Sequence, residues 1–417
     1  MTLGILVMSS LQLEIFGNLP RYQSQLPRVT RVDSGHSITN IWDIPQTISD
    51  LSYLTHSHYR YYGKFPSAVA AQILQDHGDL QQGHYVLDNF CGSGTTLVEA
   101  KLRHVPSYGL DISWISALVS NVKTEHVNLH QIRDTLKELD SIPPTRLKLP
   151  LARPDFARKW FSEQSIADLQ YLSSWIESLH PSGERDFLLV GFLAIVRRVS
   201  RAFDGEVRPH INPYKKERQI FEAFRKKIRE MMENHRAFQA VTKAETASCC
   251  AVGTNLQLPE RFFDGKCGLV ISHPPYLNSF NYRPVYSLEF YWGAPFERAY
   301  VHPEHYDLNK SEVLAHPATE SVVEQYFRHL NQCYTQTFNA QPKGGKLAVV
   351  IGDCTRGGEL IRVIDRIIDE TESIGYALKE KNYRTTHYGL GKYAYAHRAD
   401  YHGDTKEKRD AIVIFEK

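Results

Sequence analysis

His84-Tyr85-Val86-Leu87-Asp88-Asn89-Phe90-Cys91-Gly92-Ser93-Gly94-Thr95-Thr96 is the stretch on which the fold turns. Its first half is a short apolar run ending in a carboxylate, the form of a buried strand. Its second half passes two glycines and enters a segment of helical character, 95–103. Small residues at such a turn let a ligand approach the backbone, and the N–H groups of the helix that follows face it. Taken alone, the turn serves a nucleotide, a dinucleotide or no ligand at all. Just downstream, Tyr108-Gly109-Leu110-Asp111 reads as a second strand, and Ser113 as the cap of the next helix. Strand, helix, strand in this order calls for a parallel sheet.

Two features narrow the ligand. Asp111 closes the second strand about 20 residues after Asp88, where a carboxylate in such folds accepts hydrogen bonds from ribose hydroxyls. No Gly-Lys-Ser or Gly-Lys-Thr follows the glycines, so a polyphosphate cradle lacks its lysine. A charged adenosyl sulfonium fits better. Upstream, His58-Tyr59-Arg60-Tyr61-Tyr62-Gly63-Lys64-Phe65-Pro66 is aromatic and basic and leads into the amphipathic run 69–74; a solvated turn before a core helix is the competing reading.

Further out, the chain divides into three parts: an N-terminal arm with the first half of an α/β unit (1–124), a helical insertion (125–247), and the second half with a C-terminal hairpin (248–417). The insertion lacks strand-like runs and predicts helices over 162–179, 187–199 and 215–238. Strands at 267–272, 346–351 and 411–415, with helices at 322–338 and 359–371, then bring the sheet to about seven strands, the last antiparallel.

The second informative motif is where strand 267–272 empties into His273-Pro274-Pro275-Tyr276. Consecutive prolines stiffen the backbone and remove two N–H donors, leaving carbonyls free to meet a donor such as an amine; the tyrosine offers a face on which a base stacks. A purely structural turn is the alternative.

Together the two motifs resemble those of the amino-methylating DNA methyltransferases, and the continuation Leu277-Asn278-Ser279-Phe280-Asn281-Tyr282, then Val285-Tyr286 and Glu289, resembles the cytosine-N4 branch. Lys64-Phe65-Pro66 and Asp111-Ile112-Ser113 are similar to further motifs of that family. The resemblance implies a Rossmann-like S-adenosylmethionine-dependent methyltransferase fold and a cofactor site of Lys64, Phe65, Pro66, Asp88, Phe90, Gly92, Ser93, Gly94, Thr95, Thr96, Asp111 and Ile112. It implies an amine site of His273, Pro274, Pro275 and Tyr276, with methyl transfer to the N4 of a flipped cytosine. DNA is then the partner, a cognate restriction endonuclease is admitted, and a prokaryotic cytosol or nucleoid is the expected location. Three departures stand out. Asn89 replaces a proline, Gly253-Thr254-Asn255 stands where the family has Gly-Asp, and His273 replaces Ser, Asp or Asn, so that only a neutral imidazole accepts from the amine. Adenine-N6 transfer, transfer to an RNA or protein amide, and a SAM- and DNA-binding protein impaired at His273 stay open.

Composition bounds these readings. Forty-nine Lys and Arg against 47 Asp and Glu exclude a histone-like polyelectrolyte, so nucleic-acid binding must lie in patches. The insertion supplies two, Arg197, Arg198 and Arg201, and Lys215, Lys216, Lys226 and Lys227, with a solvated helix carrying Glu217, Glu222 and Glu230 as the alternative. Six cysteines without a CxxC pair predict reduced thiols, with Cys91, Cys249 and Cys250 buried. No apolar run reaches membrane-spanning length, and residues 2–8 read as a packed arm. The late cluster His387, His397, Asp400, His402 and Asp404 reads as an exposed loop, with no metal. Trp160, Phe161 and Trp175 read as core.

Overall fold

The computed structural model describes residues 26–33, 38–44, 46–47, 49–64, 66–141, 151–279, 281–301, 312–313, 315–357, 359–386 and 409–417. Residues 2–8, Phe65, Phe280 and the His387 to Asp404 cluster lie outside them.

In chain order the strands are β1 (Arg28–Asp33), β2 (Ile38–Ile44), β3 (Tyr85–Asp88), β4 (Ser107–Asp111), β5 (Ser248–Val252), β6 (Cys267–Ser272), β7 (Lys346–Ile351), β8 (Cys354–Arg356), β9 (Glu359–Ile361), β10 (Ala377–Thr386) and β11 (Arg409–Glu416). The helices are α1 (Ser67–His77), α2 (Thr95–Leu102), α3 (Trp114–Thr124), α4 (Leu129–Ser141), α5 (Pro154–Trp160), α6 (Glu163–Ser178), α7 (Gly183–Val199), α8 (Ile220–Val241), α9 (Tyr282–Val285), α10 (Ser287–Gly293), α11 (Glu297–Tyr300), α12 (Glu320–Ala340) and α13 (Val363–Ile374).

Alternation along the central strands divides the core into two layers. Val86, Leu269, Ile271, Ala348, Val350, Ile412 and Ile414 face α1, meeting Val69 and Ile73. Their neighbours Leu87, Val270, Leu347, Val349, Val413 and Phe415 face the other way, onto Phe327, Leu330 and Tyr334 of α12 and Ile364 and Ile367 of α13. A sheet buried on both faces explains why these strands read as unbroken apolar runs. Strand order is β1-β2-β10-β11-β7-β6-β3-β4-β5. From β5 to β7 all pairs are parallel, and β11 runs antiparallel to both β7 and β10. The molecule is a Rossmann-like α/β fold with a mostly parallel centre.

The sheet has nine strands, not seven. Of the nine, β1, β2, β5 and β10 have no counterpart among the strands located in the sequence; β1 and β2 form an antiparallel hairpin that lays β2 parallel to β10. Among the described side chains of β2, Trp42 and Ile44 are buried, while Arg28 and Arg31 of β1 sit exposed on the edge, so the pair carries little strand signal.

The five helices α4 to α8 do not form a separate core. Phe187, Leu189 and Val196 of α7 and Ile228 of α8 pack in one cluster with Trp114, Leu118 and Val122 of α3 and with Val285 and Trp292 of α9 and α10. Trp160, Phe161 and Trp175 belong to it. The last long helix starts at Ile220 rather than at residue 215, because the Lys215 ammonium folds back onto the carbonyls of Arg197 and Ala202 at 3.2 and 2.7 Å. Cys91 and Cys250 are buried thiols, but Cys249 is exposed. No described helix is long and apolar enough to cross a membrane.

Candidate active site

The parallel register between β3 and β6 pairs Asp88 with Ile271. The glycine turn after β3 and the proline turn after β6 therefore leave the sheet side by side, at its carboxyl edge, where open α/β sheets bind ligands.

Backbone conformation sets the glycine turn. Gly92 and Gly94 have φ of 51° and 75°, and a Cβ on Gly94 would lie 2.8 Å from Ser120 Oγ and 2.9 Å from its Cα. Both conformation and space thus demand glycine at 94. From α3, Ser120 Oγ donates to the Gly92 carbonyl at 3.1 Å and the fully buried Lys123 Nζ donates to the Ser93 carbonyl at 2.7 Å. Burial holds the Lys123 amine well below the usual lysine range.

Asp111 ties the turn to the next strand. Its Oδ2 accepts from the Gly92 N–H at 2.8 Å and its Oδ1 from the Ser113 N–H at 2.9 Å, while burial pushes its pKa up to about 6. The Ser116 hydroxyl bonds this carboxylate as well, and its remaining acceptor capacity faces the cavity. Asp88 is wholly buried and accepts from the Phe90 N–H at 3.1 Å; desolvation raises it to about 7 against the opposing hydrogen bonds of Thr96 and Phe90.

The proline turn is held from behind. Tyr326 of α12 donates its hydroxyl to the Pro275 carbonyl at 3.0 Å, and the Ser279 N–H reaches the Tyr276 carbonyl at 3.0 Å. Asn278 follows in the left-handed region at φ 59°, its N–H on the Ala315 carbonyl at 2.6 Å and its side-chain amide on the Thr355 carbonyl at 3.2 Å. The rings of His273 and Tyr276 meet edge to face with centroids 5.2 Å apart.

Between the turns lies a cavity of about 180 Å³. Of the residues expected from sequence, Lys64, Phe90, Gly92, Ser93, Thr95, Asp111, Ile112, His273 and Pro275 line it. Pro66, Asp88, Gly94, Thr96, Pro274 and Tyr276 are not on its wall. Lys64 reaches the His56 carbonyl at 3.4 Å, and burial lowers its pKa to about 8. Sequence reasoning passed over the aromatic wall. Tyr61 stacks on Tyr286 and Tyr282 at 5.4 and 6.0 Å, and all three line the cavity. Their signal was present, since Tyr61 lies in the aromatic segment before Lys64 and the other two follow the proline motif. Asn255, from the Gly253-Thr254-Asn255 segment noted in the sequence, and Glu312, from a segment without any local cue, line the cavity too.

The cationic patches split. Arg197 is buried and donates to the carbonyls of Glu206 and Val207 at 2.7 and 2.9 Å, with its guanidinium over the Tyr62 ring at 4.9 Å. Lys227 is buried against the Ser57 carbonyl and Glu230, both at 3.0 Å. These two and Lys215 are internal braces, which corrects their reading as phosphate contacts. Arg198, Lys216 and Lys226 are exposed, and Arg201 is half-buried. Among the described residues, no group of three or more His, Cys, Asp or Glu is placed to hold a metal ion.

The family model described as DNA methylase matches residues 15–117. The chain is 27% identical over 248 residues to the type II methyltransferase M.MvaI of Kocuria varians, covering 54% of each chain. It is 23% identical over 266 residues to the type II methyltransferase M.BsoBI of Geobacillus stearothermophilus, covering 56% of this chain and 52% of that one. The chain spans about half the length of these curated relatives. The solved rRNA methyltransferase aviRa of Streptomyces viridochromogenes aligns with 85% of this chain and 87% of its own at 13% identity and a TM-score of 0.29. The resemblance to amino-methylating DNA methyltransferases thus extends beyond the two motifs.

Proposed function

We propose that the chain is an S-adenosylmethionine-dependent DNA methyltransferase acting on the exocyclic N4 of a cytosine turned out of the duplex. The observation that carries this reading is the single cavity walled on one side by the glycine turn and Asp111, and on the other by His273 and Pro275.

The residues present fit the cofactor. Positive-φ glycines leave the turn bare of side chains, and Asp111 keeps acceptor capacity for ribose hydroxyls. Lys64 offers a cation to an amino-acid carboxylate, and the Tyr61, Tyr282 and Tyr286 rings offer π faces to a sulfonium. Bound there, S-adenosylmethionine supplies an electrophilic methyl group.

The chain's own task is to make a weak nucleophile attack. The amine lone pair of cytosine is delocalised into the ring, so acceptors that hold its hydrogens favour a localised pair. Tyr326 already occupies the Pro275 carbonyl. That oxygen keeps a second lone pair, so the acceptors we assign are the carbonyls of the proline turn together with a neutral His273, with Tyr276 beside the base.

Incubation with methyl-labelled S-adenosylmethionine and mixed-sequence DNA, followed by digestion to nucleosides, tests this. Label in N4-methylcytosine is expected. Label in N6-methyladenine replaces the base assignment, and cofactor binding without any transfer contradicts the enzymatic reading.

A further inference from the structure

Between α7 and α8 the chain forms a hairpin loop that the cavity does not use. Ala202 and Ile211 pair as an antiparallel bridge, the Phe203 N–H meets the His210 carbonyl at 3.0 Å, and the Asn212 N–H meets the Arg201 carbonyl at 2.7 Å. Arg197 braces it from within through the Glu206 and Val207 carbonyls, and Lys215 does so through the Ala202 carbonyl and the Asp204 carboxylate at 2.7 and 2.8 Å. Two buried or half-buried cations are thus spent on fixing one loop.

The braced loop holds large apolar side chains in solvent. Phe203 and Ile211 are 40% and 42% exposed, and Tyr214 is 90% exposed. One exposed ring needs no explanation, but two rings and an isoleucine exposed on one fixed loop mark an interaction surface. Their setting is cationic, since residues 197–218 hold seven Lys or Arg against three Asp or Glu, and Arg198, Arg208, Lys216 and Arg218 are exposed. The loop is also coupled to the site. Arg60, next to Tyr61, donates to the Asp204 carbonyl, and Arg197 reaches the carbonyl of Val285, next to Tyr286, at 3.5 Å.

We propose that this loop is a DNA-contacting finger in which Tyr214 stacks on a nucleobase beside the target while Arg208 and Lys216 engage phosphate. The proposal rests on the DNA reading above. Exposed rings among cations match a polyanion that presents stacked π faces, and an enzyme that removes a base from the stack gains from a side chain packed against the step it opens. The internal bracing fits a part that must deform its partner without yielding.

The test compares the full chain with Tyr214→Ala, Tyr214→Trp and Lys216→Ala. Duplex affinity is read by fluorescence anisotropy at several salt concentrations, and S-adenosylmethionine affinity by calorimetry. Tyr214→Ala is expected to weaken duplex binding by roughly tenfold or more, Tyr214→Trp to restore it, and both to leave cofactor affinity unchanged. Lys216→Ala is expected to reduce the slope of log affinity against log salt by about one. A wild-type chain that methylates DNA, with Tyr214→Ala binding duplex equally well, overturns the finger alone. A wild-type chain that binds no duplex overturns both this proposal and the DNA reading.

Discussion

Asp111 accepts two backbone N–H groups and still faces the cavity, so it serves the turn and the ligand at once. Its raised pKa, about 6 against an ordinary 3.8, gives a signed prediction. Between those values the folded chain holds the proton more firmly than the unfolded one, so this contribution to stability is full below about pH 4 and is lost as pH rises through 6. Asp111→Asn does not titrate, hence the wild type gains stability on the variant as pH falls from about 7 to about 4, measured by denaturant unfolding. Cofactor affinity runs the opposite way. It falls below about pH 6 in the wild type, as the carboxyl loses acceptor capacity, and stays flat and weaker in Asp111→Asn, measured by calorimetry. At Gly94, alanine meets both a left-handed backbone and Ser120, so Gly94→Ala costs about 1–3 kcal/mol in thermal unfolding and lowers cofactor affinity. Gly92, Asp111 and His273 were legible because each is fixed by a strand end a few residues away. Arg197 and Lys215 were misread because sequence shows a charge but not the carbonyls that fold around it.

At the scale of elements, the proline turn depends on a helix far from it in sequence. Tyr326 of α12 fixes the Pro275 carbonyl, so Tyr326→Phe keeps the fold but loosens the turn; the expected result is a stability loss near 1 kcal/mol with a larger fall in turnover than in cofactor affinity. An equal fall in both contradicts the positioning role. Strands β6, β7 and β11 were readable because both faces are buried and the runs are unbroken. β10 was not, since Lys379, Glu380, Lys381 and Arg384 interrupt it and only its pairing with β11 and β2 makes it a strand. The hairpin β1–β2 escaped for the same reason. Its anchor is Trp42, fully buried in the layer that holds α1, and Trp42→Ala is expected to cost about 3–5 kcal/mol by chemical denaturation.

Over the whole molecule, the sequence order of strands and helices was enough to foresee a parallel-centred sheet whose carboxyl edge carries both motifs. The helices α4 to α8 were foreseen as an insertion, but their merging with α3 and α10 into one core was not, because nothing local marks which helix faces meet. That merging links the solvent-facing loop at 200–216 to the cavity wall. The central claim is that one cavity between the glycine and proline turns receives the adenosyl cofactor and faces it toward the amine site. A crystal structure of the chain with S-adenosylmethionine tests it most directly. The account predicts ribose hydroxyls on Asp111 and a methyl group directed at the proline turn, where His273 and Pro275 line the cavity; a cofactor seated elsewhere, or one whose methyl points away from that turn, contradicts it.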